Sequence, residues 1–147
     1  MKKILYIVSI LIVVLIGWFV LSSTIKKGPT ARINNRTFNL YIAKSDKDRQ
    51  IGLSKYNKIA DNWGMVFQFG KADYYPFWMK EMKFPIDIIY VKDGKIVTIH
   101  QNVNPPQENQ GLTIYNPESP ADTVIEVNAG LSKKYNLKTG DRVSLSI

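Results

Sequence analysis

Residues 64–91 read GMVFQFGKADYYPFWMKEMKFPIDIIYV, and this stretch decides the fold because it sets charges inside apolar, strand-like patterns. Gly64–Phe69, Phe77–Met82 and Asp87–Val91 each carry the β-branched and aromatic residues that suit strands. Alternate side chains of a strand share a face, so Trp78, Lys80 and Met82 are expected to project together, with Phe77 and Met79 opposite. By the same rule Asp87 shares a face with Ile89 and Val91. Lys80 and Asp87 thus occupy positions where burial would favour hydrophobes, and a buried charge without a partner costs several kcal/mol, of order 3–5.

Outward from this stretch the chain is punctuated every ten or so residues. Ala31–Ile33 and Thr37–Ala43 read as a hairpin about Asn34-Asn35, and Lys92-Asp93-Gly94-Lys95 as a tight turn into a strand at Lys95–Val103. Ser45 followed by Asp48 resembles a capping box, so a short helix should run to about Leu53, near Gly52. Thr113–Tyr115, Thr123–Val127 and Arg142–Ile147 are further strands, and Gly130–Tyr135 is one or two helical turns. The fold class expected is mainly β (α+β), a small, closed or nearly closed β-barrel-like domain with two short helices that protects its edges.

The N-terminus reads differently. Lys2-Lys3 precede an apolar run from Ile4 to Leu21, 18 residues broken only by Tyr6, Ser9 and Gly17. As a helix it would reach about 27 Å at about 1.5 Å per residue, enough to cross a bilayer and longer than an ordinary signal core. A cleaved signal is the competing reading, although Val20-Leu21-Ser22 is a poor cleavage site. Residues 1–27 therefore read as a membrane anchor or signal segment and residues 28–147 as the domain. Membrane contact through residues 4–21 and a single pass of the cytoplasmic membrane, with the domain outside the cytoplasm, are the expectations.

The formal net charge is +8, and setting aside Lys2, Lys3, Lys26 and Lys27 leaves +4 with acids interspersed, as in residues 44–49. That is a solvated surface with modest attraction for anions, so nucleic acid is not expected as a partner. The chain has no cysteine and one histidine, His100, which excludes thiol nucleophiles, thiolate metal sites and multi-histidine zinc sites. Neither a Gly-x-Ser-x-Gly elbow nor a glycine-rich phosphate loop is present, and no cofactor or metal is expected.

The chemistry that remains rests on Trp78, Lys80, Asp87 and Glu126, the last sharing a strand face with Val124. Four readings stay open: an internal ion pair or carboxylate that fixes strand register and turn geometry, a small cleft in which Trp78 stacks on a ligand that Lys80, Asp87 or Glu126 hydrogen-bonds, an acid/base pair formed by Asp87 and Glu126 in a hydrolase or lyase, and a purely structural partner in a membrane complex. A cell-envelope carbohydrate or peptide is the ligand class expected for the cleft. The aromatic cluster of Tyr74, Tyr75, Phe77, Trp78 and Phe84 reads as a sugar or peptide platform or, the favoured reading, as core for a small domain.

The runs Gly64-Met65-Val66-Phe67, Phe77-Trp78-Met79-Lys80 and Pro85-Ile86-Asp87-Ile88-Ile89, with Glu126-Val127-Asn128-Ala129-Gly130 and Gly140-Asp141, resemble the DUF192 (UPF0127) family from about Asn39 onward. The resemblance implies a compact β-rich single domain and frequent export, and it carries no assigned activity. Gly52-Leu53-Ser54-Lys55-Tyr56 departs from the family's Gly-Leu-Met-x-Arg type run.

Overall fold

The computed structural model describes residues 6, 10–16, 28–108 and 111–147. The domain is built from β1 (Thr30–Ile33), β2 (Arg36–Ile42), α1 (Asp46–Ile51), a 3-10 turn (Gly52–Lys55), β3 (Trp63–Asp73), β4 (Phe77–Trp78), β5 (Ile86–Lys92), β6 (Lys95–Val103), β7 (Ile114–Tyr115), β8 (Ala121–Asn128), α2 (Leu131–Lys134) and β9 (Val143–Ser146). Seven strands form one sheet in the order β6-β5-β8-β3-β2-β1-β9, and β4 pairs with β7 in a separate ribbon.

The sheet is mixed. All its neighbours run antiparallel except β2 and β3, which are parallel and joined by the crossover through α1. The capping box closes as the sequence implied: Ser45 N–H donates to Asp48 Oδ2 at 3.0 Å and Asp48 N–H donates to Ser45 Oγ at 3.1 Å. Asp93 (φ 49°) and Gly94 (φ 69°) supply the left-handed pair for the β5–β6 turn.

The sheet curls into a half-barrel whose edge strands touch at one end. Lys95 at the start of β6 bridges Arg142, Val143 N–H donates to the Gly94 carbonyl and Gly140 N–H to the Ile96 carbonyl, both at 2.8 Å. The domain is thus mainly β and barrel-like with few short helices, as the sequence implied, its sheet curled into a half-barrel where a closed or nearly closed barrel was expected.

Both faces of the sheet are covered. One core draws on all seven strands, with Ile33, Phe38, Val66, Ile89, Ile125 and Val143 among its members, and so fills the inside of the curl. The second lies on the other face of β3, β5 and β8, where Met65, Phe67, Ile88, Tyr90 and Val124 are covered by Leu53 of the 3-10 turn and Met79 after β4. Burial on both sides explains why Ile86–Val91 is buried without a break, the pattern of a central strand.

Gly64 lets β3 and β8 approach. A Cβ there would stand 2.5 Å from the Glu126 carbonyl oxygen and 3.1 Å from Val127 Cγ1, and backbone cannot yield. Gly64→Ala is expected to cost about 1–3 kcal/mol, seen in thermal melts as a fall in Tm of roughly 4–12 °C; an unchanged Tm would contradict this packing.

The expected strand Phe77–Met82 stops at Trp78. Met82 N–H donates to the Met79 carbonyl at 3.1 Å and Glu81 adopts φ 59°, so the chain turns where alternation was to continue. The apolar run Ile4–Leu21 lies for the most part outside the described residues; Tyr6 and residues 10–16 are helical. Among the described residues no helix is long and apolar enough to cross a membrane.

Candidate functional site

A one-residue difference in register assigns the two buried carboxyl groups of the domain to opposite faces. Asp87 stands opposite Val127 of β8, whereas Glu126 stands opposite Ile88 of β5 and Met65 of β3. Directly paired residues share a face and successive residues alternate, so Asp87 points into the inner core and Glu126 into the outer one.

Asp87 is fully buried, and both of its carboxyl oxygens accept backbone hydrogen bonds. Its Oδ1 accepts from the backbone N–H of Asn102 at 2.8 Å and of Gly130 at 3.0 Å, and its Oδ2 from Ser132 N–H at 2.7 Å. Gly130 and Ser132 begin α2, so this side chain ties that helix and the end of β6 to the centre of the sheet. Its oxygens are spent on the fold.

Glu126 has no such partners. It is 5% exposed, and its Oε2 is buried without a hydrogen bond. Burial alone pushes its carboxyl up to about 8. The same burial, with Glu126 second, holds the Tyr90 phenol well above its ordinary range, and the Tyr90 hydroxyl donates to the Tyr115 carbonyl at 2.7 Å.

The Glu126 carboxyl lies in a cleft of about 160 Å³. Its walls are aromatic: Phe67 and Phe77 meet edge to face at 4.9 Å, Phe69 and Tyr75 stack at 3.6 Å, and Trp78, 38% exposed, stands at the rim. Gly52 forms part of the lining; its backbone (φ 53°, ψ −138°) is one that glycine adopts freely, and a Cβ there would lie 3.9 Å from Glu126 Oε2. The 3-10 turn therefore packs closely against the carboxyl.

Two cations also line the cleft. Arg49, from the last turn of α1, donates through Nη1 to Asp46 Oδ1 at 2.9 Å and through Nη2 to the Gln68 carbonyl at 3.1 Å, which leaves its buried Nε without a partner. Lys80 sits in the turn after β4 with a 65% exposed side chain, and its Nζ lies 4.0 Å from Glu81 Oε1. The sequence pattern implied a buried strand position for Lys80; the left-handed Glu81 brings it to the rim instead.

Of the four residues singled out from sequence, Trp78, Lys80 and Glu126 come together at the cleft and Asp87 does not. A two-carboxylate arrangement of Asp87 and Glu126 acting on one substrate is excluded by the sheet lying between them. Arg49, Gly52 and Phe67 were missed as site residues. The capping box announced the helix that carries Arg49, but only the parallel β2–β3 crossover lays that helix beside Glu126. The His100 ring lies apart from this cleft, edge-on to Tyr90 and Tyr115, with Nε2 2.8 Å from the Asn116 carbonyl. Among the described residues no group of three or more His, Asp or Glu side chains is placed to hold a metal ion.

Comparison with known proteins agrees with this architecture. None of the curated proteins matches the chain. A Novosphingobium aromaticivorans protein of unknown function superposes with a TM-score of 0.72 at 28% identity, over 78% of this chain and 83% of that one. A Sinorhizobium meliloti protein, described as a proposed transcription regulator, superposes with a TM-score of 0.71 at 30% identity, over 82% of this chain and 96% of that one. Residues 29–145 match the DUF192 family, described as an uncharacterised ACR. With the matched residues spanning nearly the whole sheet, from the start of β1 into β9, the chain belongs to the DUF192 family.

Proposed function

We propose that this protein is a small binding module of the cell envelope, tethered to the cytoplasmic membrane through residues 4–21 and working outside the cytoplasm through the Glu126 cleft. One observation carries the binding role: a carboxyl group buried without a partner at the bottom of an aromatic cleft. Folding leaves such a group unpaired at a cost of about 1–3 kcal/mol, and a ligand that hydrogen-bonds it recovers that cost. The ligand class is a carbohydrate ring or a peptide unit, stacked on Trp78 at the rim.

The tether is supported by the apolar run after Lys2-Lys3 and by Ile10 to Ile16, seven successive apolar side chains that are each at least half exposed. A headgroup-to-headgroup span supplies the apolar surroundings these side chains lack in the domain.

Titration calorimetry of the full chain in neutral detergent with soluble cell-envelope glycan and peptide fragments tests the reading. Saturable binding is expected, weakened about tenfold in Trp78→Ala through loss of the stacking surface, and at most about threefold and salt-dependently in Lys80→Ala, whose charge is solvated. Absence of saturable binding, or binding indifferent to Trp78→Ala in a folded variant, contradicts it.

A further inference from the structure

Two residues that line the cleft each carry a buried polar atom without a hydrogen-bond partner, one an N–H donor and the other a carboxyl oxygen. Arg49 Nε–H can only donate, its two Nη groups being held by Asp46 and Gln68. Glu126 Oε2 is a carboxyl oxygen that accepts, and the two are not bonded to each other. Both residues line the same 160 Å³ space.

Common small groups can be tested against that pair. A carboxylate offers acceptors to Arg49 but no donor to the Glu126 carboxyl oxygen; an ammonium offers donors to Glu126 but no acceptor to Arg49 Nε–H, and it opposes the charges of Arg49 and Lys80. A hydroxyl does both from a single oxygen, so it must lie within hydrogen-bond reach, about 3 Å, of both atoms at once. A secondary amide is the smallest neutral group whose planarity fixes a donor and an acceptor on opposite sides, and its flat faces and flanking methyl or methine suit walls made of Phe67, Phe77 and Trp78.

We propose that the Glu126 cleft recognises a secondary amide, its N–H donating to Glu126 Oε2 and its carbonyl oxygen accepting from Arg49 Nε–H. The inference rests on the binding role proposed above and narrows it. Two ligand sources share this chemistry, the acetamido group of an N-acetylated amino sugar and the peptide bond. The size of the cleft admits one such group with part of a ring or side chain, so recognition is of a single unit within a longer molecule.

The test is a matched series measured by calorimetry on the full chain in neutral detergent: N-acetylglucosamine, glucose, and N-acetylalanine methylamide. At least one amide is expected to bind roughly tenfold or more tightly than glucose, since a site built for two hydrogen bonds rejects a ligand that leaves them unmade. The tighter of the two amides identifies the source. Glu126→Leu, which removes the acceptor while filling the space, is expected to abolish the amide preference, and Arg49→Lys, which keeps charge but loses Nε–H, to reduce it several-fold; circular dichroism checks that each variant is folded. Glucose binding as tightly as N-acetylglucosamine and the methylamide overturns the amide inference and leaves the binding role standing. Envelope fragments binding while neither amide competes has the same consequence, and no binding by any probe or fragment overturns both.

Discussion

Asp87→Ala is expected to remove most of the stability of the domain. The substitution leaves the N–H groups of Asn102, Gly130 and Ser132 buried around an empty space, all three having donated to this one side chain. Each orphaned group costs about 1–3 kcal/mol, so the total, on the order of 5 kcal/mol, is comparable to the whole stability of a small domain. Asp87→Asn is the sharper variant. Its single amide oxygen can take over the bonds of one carboxyl oxygen, but its NH2 then faces a backbone N–H, so a loss of about 2–4 kcal/mol is expected with no loss of shape. Urea unfolding checks both. Asp87→Asn with wild-type stability would show that the carboxyl is not what ties α2 and β6 to the sheet.

Glu126→Gln is expected to act in the opposite direction, increasingly so as pH rises above about 4.5. In the unfolded chain Glu126 loses its proton near 4.5, and in the folded domain near 8. Between those values the folded state holds a proton that the unfolded state has released, so the contribution of Glu126 is fully favourable below about pH 4.5 and is lost as pH rises to about 8. Every pH unit between the two midpoints corresponds to about 1.4 kcal/mol, which gives a loss on the order of 5 kcal/mol by about pH 9. The glutamine side chain of the variant has no charge to bury. Stability of the variant should therefore match the wild type near about pH 4.5, exceed it by several kcal/mol at about pH 9 and show a flattened pH profile in urea unfolding. Parallel profiles for the two proteins would mean that Glu126 is solvated or paired.

These two substitutions separate what the sequence could and could not reveal. The hairpin at Asn34-Asn35, the capping box at Ser45 and Asp48, and the Asp93-Gly94 turn were legible because each is a local device in which neighbouring residues satisfy one another. The buried acids were legible as anomalies, since carboxyls inside apolar alternation demand an explanation. Their separation was not, because it depends on pairing Asp87 with Val127 and not with Glu126, a register set by residues about forty positions apart. Lys80 was misplaced for a local reason that composition hides: Glu81, not a glycine or asparagine, takes the left-handed conformation that ends the strand. Arg49 escaped notice because a parallel crossover, unlike a hairpin, leaves no turn signature to say which strand its helix will lie against.

Asp87 is committed to the fold, whereas Glu126 is buried and unpaired, the condition on which the proposed ligand site depends. Carbon-13 NMR titration of the side-chain carboxyl of Glu126 in the ligand-free full chain tests it most directly, with Glu126→Gln used to assign the signal. A midpoint at about 8 is the predicted result. A midpoint in the ordinary glutamate range, near about 4.3, would show a carboxyl already solvated or paired within the protein and would contradict the account.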